Sequence, residues 1–555
     1  MYKRLIRGLF LVLFSAIHAQ TDKQMVIFKA MSDELQRNID SLSIRNLERP
    51  FFIQYALQEG RLFQVQATMG AVTGVNEFPV ANMSAQVLVG NYQLANINHS
   101  NTDYRSGSRN DQAPLDIDYD EIRRRLWLLS DNVYKSAIEE YSNKMTSIKQ
   151  LNLPQDVLDL PDFTQLPPVT YYGSKDEIAY RKEYWESIAR DCSAVFKKYP
   201  GIYGSNVGIE IYSGEIYSVN TEGTKLLHPV RLIVMAVNAY TKVEDGEEIS
   251  DRLAFYGLSE NDFPDTGSLI QNIEAMAESI IALTKAPKMD ESYTGPVMIE
   301  GSALVSEMVT ELLSPRTGLV ASRTPIKSGG AQRMMEDRLN RRILSTDITV
   351  KSAPHLQTYE GKTLIGSFQT DAEGVSPSGD LILVENGMLR TLMCDRVPTK
   401  KIRTATGNRT YSYQPQGIST RVSPGVLSIS TSNGLLRDTL KARLLSAARS
   451  EGLDYAYMIR TLPAGRNALL YKISVTDGRE QLVRAGTASR INLDKLKRSS
   501  GASQTSIAVN MIAGGVPVSI ICPDAMVIEE IDIEKQNLQN TTKLPVVSNP
   551  LEQYQ

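Results

Sequence analysis

Leu381-Ile382-Leu383-Val384-Glu385-Asn386-Gly387-Met388-Leu389 decides how the second half of the chain is read. Asn386-Gly387 tolerates positive φ at both central positions of a type I′ turn, so the chain reverses there within two residues. Leu381, Leu383 and Leu389 recur at strand spacing and face a core. The same texture, short apolar strands between glycine-rich turns, runs from Tyr293 to about Ile533. A strand-rich C-terminal domain over 291–535 follows from it. The remainder, 536–555, is rich in Gln, Asn and Pro and reads as a polar tail.

Upstream, 20–290 mixes helix and strand signals. Ile27, Met31, Leu35 and Ile39 fall four apart and predict a helix over Ile27–Leu42. Asp120–Met145 and Lys175–Lys198 predict two longer helices, and Thr266–Leu283 another that Lys285-Ala286-Pro287 ends. Alternating apolar residues predict strands at Leu62–Ala67, Ala85–Leu94 and Val230–Thr241. Val207–Tyr212 and Glu215–Val219 read as a hairpin joined by Ser213-Gly214. Asn96–Pro114 reads as a loop, and Leu151–Thr170, with its prolines, as a linker or packed irregular segment. The expected class is α+β: a mixed helix and strand region, then a strand-rich domain.

The chain has 555 residues, 42% of them hydrophobic and 22% charged, which excludes a disordered chain, a collagen-like fibre and a polytopic membrane protein. The net charge of -3 gives no reason to expect a nucleic-acid partner. At the start, Lys3, Arg4 and Arg7 precede Leu9–Phe14, and Ala19 offers a small residue for cleavage. The expectation is an export signal over 1–19 and a periplasmic or secreted protein. The apolar run falls short of the roughly 20 residues that cross a bilayer, so no span is expected after cleavage. The 3 cysteines, Cys192, Cys394 and Cys522, exclude a disulfide scaffold but leave room for one bridge, and no CxxC supports a thiolate zinc site.

No catalytic set is visible. Of the 4 histidines, His18 leaves with the signal, and His99, His228 and His355 stand apart with no HExxH or HxH spacing. No GxSxG occurs. Cys394 has Arg396 nearby, which can lower a thiol pKa, but the residue reads more readily as a small strand side chain. Asp371-Ala372-Glu373-Gly374 offers paired carboxylates for acid–base work or for capping a turn. Gly407-Asn408-Arg409 offers an anion site or a plain glycine turn. Asp371, Glu373, Arg396, Asn408 and Arg409 are therefore the candidates for substrate or cavity contacts, with no catalytic residue and no metal ligand assigned.

Several stretches taken in order resemble the TldD/PmbA (TldD/TldE) metalloprotease-related family. They are Val219-Asn220-Thr221-Glu222-Gly223-Thr224; Tyr293–Gly301 with the helical Ser302–Leu313; Asp371–Val375; Leu383–Leu389; Arg396-Val397-Pro398; Gly407-Asn408-Arg409; Leu482–Gly486; and Gly514–Ile520. They span about 215 to 535, while 20–200 is similar only in texture. Catalytic members carry HExxxH on the first helix of the C-terminal domain and a cysteine near its end, which the resemblance makes zinc ligands, with the glutamate as base. Here the best register puts Ser306 and Glu311 at the imidazole positions, and only Glu307 matches. Gln504–Gly514 has no cysteine, and Cys522 lies beyond it.

The resemblance is therefore to the non-zinc TldE/PmbA type. It implies a noncatalytic subunit of an exported peptidase system acting on unfolded or extended peptides. No cofactor is expected in this chain; zinc is expected in a TldD-like partner subunit, and a homodimer is a further possibility. Edge strands of the C-terminal sheet are candidates for adding to a peptide backbone. Two alternatives stay open: a peptide-binding envelope protein without a proteolytic role, and a hydrolase with a non-zinc mechanism using Cys394 or a carboxylate pair.

Overall fold

The computed structural model describes residues 22–100, 108–173, 180–314, 317–328, 334–536, 544–545, 547 and 549–551. The expected signal over 1–19, most of the tail over 536–555 and the first part of the expected helix Lys175–Lys198 lie outside the described residues.

Long strands build the N-terminal sheet. Pro50–Thr68 and Ala71–Val89 form one antiparallel hairpin, and Gly204–Asn220 and Lys225–Lys242 form a second that packs beside it. Ser108–Gln112 flanks Ala71–Val89 at one side; Glu248–Gly257 and the parallel Thr170–Tyr172 flank Lys225–Lys242 at the other, completing a seven-stranded sheet. One face carries Ile53, Tyr55, Leu57, Phe63, Val65 and Ala67, all of one parity along their strand. Helices Asp22–Ser41 and Tyr119–Gln150 cover its first half; Lys182–Ala194 and Thr266–Lys285 cover the second. Asp118 and Asp265 cap two of these helices, accepting the N–H groups of Glu121 and Ser268.

Ser213-Gly214 is not a turn. It lies inside the continuous strand Gly204–Asn220, where Gly214 stands opposite Gly60. A Cβ on Gly214 would sit 2.3 Å from the Glu59 carbonyl oxygen, and one on Gly60 would sit 2.5 Å from that of Ser213. The glycine serves close backbone approach, not chain reversal. The real reversal is Asn220–Thr224: Asn220 Oδ1 accepts the N–H groups of Glu222 and Thr224, and Gly223 takes φ +93°.

The C-terminal domain has two further sheets. Tyr293–Glu300, Tyr455–Arg460 and Ala525–Lys535 lie in a seven-stranded sheet, and Ile348–Ser352, Val426–Thr431 and Val516–Pro523 in a six-stranded one. Helix Ser302–Leu312 contributes Leu304, Val305, Met308 and Leu312 to the core that both sheets share. The Asn386-Gly387 turn has φ +48° and +75° and joins Leu381–Glu385 to Met388–Leu389, with Leu383 and Leu389 fully buried. Helix Arg437–Ser450, unexpected from the strand texture, covers the outer face of the seven-stranded sheet with Leu440, Leu444 and Ala448. The whole is α+β, as expected.

The second face of the N-terminal sheet packs on the C-terminal domain: Phe52 meets Phe163 and Val397, Ile216 meets Ile418, and Tyr212 meets Tyr413. The outer edge of Glu248–Gly257 is closed by the same domain, since Ala254 donates to Ala464 and Arg466 to Arg252 at 3.0 and 2.9 Å. Arg484 holds Asp245 at 2.6 Å and also Glu247. No helix among the described residues is long and apolar enough to cross a membrane.

Candidate functional site

The sequence candidates gather where the C-terminal domain meets that second face. Asp371 folds its own turn: its carboxylate accepts Glu373 N–H at 2.8 Å, Val375 N–H at 2.9 Å and Arg409 N–H at 3.1 Å. Gly374 completes the turn at φ +83°. Arg409 donates through Nε to Thr420 at 2.8 Å and pairs through Nη1 with Asp395. Asn408 donates to Ser352 Oγ at 3.0 Å and to the Ser423 carbonyl at 3.2 Å. Arg396 turns the opposite way. Its guanidinium lies 4.1 Å from the Phe163 ring centroid, donates to the Thr164 carbonyl, and reaches Glu222 at 2.6 Å. All five are buried, Arg396 to 1% exposure.

Glu373 is the exception within this network. It is buried, and neither carboxylate oxygen has a hydrogen-bond partner. Burial, reinforced by the negative charge of Asp395, pushes its pKa well above the usual carboxylate range. Burial also raises Asp371, against the pull of its three amide donors.

Beside this network lies a cavity of about 330 Å³, lined among others by Tyr171, His228, Phe368, Asp371, Tyr411 and Tyr413. The rings of Tyr171 and Tyr411 stand 5.3 and 5.2 Å from His228, whose Nε2–H donates to the Thr370 carbonyl at 3.0 Å. Burial lowers the His228 pKa to about 4, so the ring is neutral at physiological pH. Asp371 reaches this cavity, and Arg409 lines a smaller neighbour of about 70 Å³. Glu373, Arg396 and Asn408 line neither. His228, Tyr411 and Glu222 were not singled out as site residues from the sequence; the alternation of Tyr411 and Tyr413 two apart was the available signal.

Cys394 is not an activated thiol. It is 1% exposed, donates to the Asp395 and Val397 carbonyls, and burial drives its pKa up, while Arg396 points away to Glu222. The three cysteines are all free and buried, so no bridge forms. His99 is held by Glu140 and Ser147, and His355 by the Phe368 and Pro377 carbonyls, so each has a local structural task.

On helix Ser302–Leu312 the donor set does not fit zinc. Ser306 brings no imidazole. The Glu307 carboxylate accepts Ile491 N–H, and that of Glu311 accepts Leu493 N–H, both at 3.2 Å. Both carboxylates therefore anchor the chain entering helix Leu493–Lys497. Among the described residues no three His, Cys, Asp or Glu side chains converge to hold a metal.

Residues 296–441 match the model of the PmbA/TldA metallopeptidase C-terminal domain. No curated protein matches the chain significantly. Among solved structures, TldE from Thermococcus kodakarensis is 12% identical with a TM-score of 0.53, over 91% of this chain and 100% of its own. Two candidate modulators of DNA gyrase share the fold as well. The Thermotoga maritima protein is 15% identical with a TM-score of 0.56, over 91% of this chain and 100% of its own. The Bacteroides thetaiotaomicron protein is 13% identical with a TM-score of 0.58, over 93% and 100%. The family's sequence signature is thus present over residues 296–441, and the fold is shared with these solved structures over at least 91% of the chain.

Proposed function

We propose that this chain is an exported, noncatalytic subunit of a TldD/PmbA-type peptidase, working beside a zinc-bearing TldD-like partner on unfolded or extended peptides. The carrying observation is the helix Ser302–Leu312. Positions that would have to bind metal hold Ser306 and Glu311, and the carboxylates of Glu307 and Glu311 are engaged by backbone amides. The chain's contribution is then shape: a rigid wall and a pocket for part of the substrate. The cavity at His228 suits that task, being mostly apolar and aromatic with a few fixed polar groups. The expected peptide addition at the edge strand Ser506–Ala513 is less favoured, because Lys362 already donates to the Ala508 carbonyl at 2.7 Å.

The test is purification of the secreted chain from its native host, with zinc analysis and a peptidase assay before and after adding a co-purifying relative. The proposal expects no stoichiometric zinc and no cleavage alone, with cleavage in the complex. Zinc with cleavage by the isolated chain overturns it. Binding of extended peptides with no zinc-bearing relative in the complex favours an envelope binding protein instead.

A further inference from the structure

Buried polar atoms without partners are costly, and each calls for a physical explanation. Three of them, His228 Nδ1, Thr410 Oγ1 and Tyr413 Oη, belong to residues that line the single cavity of about 330 Å³ described above. Two of these side chains are firmly held. The Tyr413 ring stands 5.5 Å from that of Tyr212, at 73°. His228 is fixed between Tyr171 and Tyr411, and its Nε2–H is spent on the Thr370 carbonyl. Because the ring is neutral, Nδ1 is a lone pair that only a donor can satisfy. Among the described residues the charged groups on the wall are Asp371 and Arg231. Asp371 spends its carboxylate on three backbone N–H groups, and Arg231 already has a partner. An ionised ligand would therefore lose water there without gaining a counter-charge. Phe368, Pro229 and Pro517 make much of the remaining wall apolar, and the exposed Gln357 marks its mouth.

We propose that this cavity takes an uncharged aromatic side chain carrying an N–H donor, the indole of a tryptophan in an extended peptide. This rests on the reading above, in which the chain handles extended peptides, and it names the residue that the pocket reads. An indole N–H is a donor only, and His228 Nδ1 is an acceptor only, so each supplies what the other lacks. The indole ring packs against Tyr171, Phe368 and Tyr413, where aromatic edges and faces attract. A phenylalanine ring fills the same space and leaves Nδ1 unpaired. A leucine side chain brings neither the ring nor the donor. The Thr410 and Tyr413 hydroxyls turn their protons freely, so they serve as donor or acceptor for the peptide groups that flank the ring. The volume stands at the small end of ligand sites, which suits one ring system and excludes a longer ligand. Because His228 is already held in place, little ordering is left to oppose binding.

The test titrates the full chain, without any partner, by calorimetry. The probes are N-acetyl-tryptophanamide, N-acetyl-phenylalaninamide, N-acetyl-leucinamide and a capped glycine peptide bearing a central tryptophan. The proposal expects saturable binding of the tryptophan amide and of the peptide. The phenylalanine amide should bind about 3- to 10-fold more weakly, the worth of one hydrogen bond, and the leucine amide weakest of all. His228→Phe keeps a ring and removes the acceptor, so the tryptophan and phenylalanine amides should then bind alike. A thermal midpoint matched to the parent shows that this variant folds; should it not fold, the amide series on the parent decides alone. No binding of any amide overturns the proposal, as does equal binding of the tryptophan and leucine amides, or an unchanged preference in folded His228→Phe. Binding of the tryptophan amide but not of the peptide overturns it too, and makes the cavity a site for a free aromatic molecule. Neither zinc nor cleavage enters this measurement, so a failure of the peptidase reading shows in the assay of the complex and not here.

Discussion

Glu311 accepts the backbone N–H of Leu493 at 3.2 Å, across 182 residues of chain. A side chain at a position where active relatives are expected to hold metal is here a structural acceptor, 6% exposed, with Arg490 3.7 Å away. Glu311→Ala strands that amide and removes a charged acceptor. Unfolding by denaturant should show a loss of about 1–3 kcal/mol. Glu307→Gln keeps an acceptor for Ile491 and should change stability little. A Glu307→Gln variant that folds normally but abolishes activity in the isolated chain would show that Glu307 acts as a base.

Arg396 and Glu222 tie the turn of the N-terminal sheet to the C-terminal domain, with side chains 2% and 5% exposed. Tyr92 also donates to Glu222, at 2.7 Å. Arg396→Ala leaves a buried carboxylate without its cation and is expected to cost about 3–5 kcal/mol. Arg396→Met with Glu222→Gln should recover much of that loss, because the penalty lies in the orphaned charge. Equal destabilisation by the single and double variants would show that packing on Phe52 and Phe163 dominates.

Local chemistry made the Asn386-Gly387 hairpin and the Asp371 turn legible, since each is decided within a few residues. Ser213-Gly214 misled because glycine has two uses, and only the neighbouring strand at Gly60 shows which applies. Helix Arg437–Ser450 carried its own signal in Leu440, Leu444 and Ala448, but strand-like stretches on both sides obscured it. The site was less legible. Asp371, Asn408 and Arg409 lie within one network, yet the partner of Arg396 is 174 residues away, and no spacing rule reaches that far.

The thiols give a direct check on a cysteine mechanism. Burial pushes Cys192 and Cys522 up to about 12, and Cys394 well above its ordinary value. The folded protein should not react with a thiol-exchange reagent at neutral pH, and unfolding in denaturant should release all three. Rapid labelling of native Cys394, with loss of any hydrolytic activity, would restore it as a nucleophile.

Glu373 links the same buried network to pH. Burial and the charge of Asp395 push its pKa up to about 8, with Asp371, Arg396 and Arg409 adding smaller effects. In the unfolded chain it releases its proton near the ordinary glutamate value of about 4.3. Between these values folding takes up a proton, so stability falls as pH rises. The favourable contribution is complete below about 4.3 and is lost as pH passes about 8. Glu373→Gln keeps the shape and stays neutral. Its stability relative to the parent should therefore climb between pH 5 and pH 8, on the order of a few kcal/mol. Parallel stability profiles for the two proteins over that range would show that Glu373 is already ionised in the folded chain.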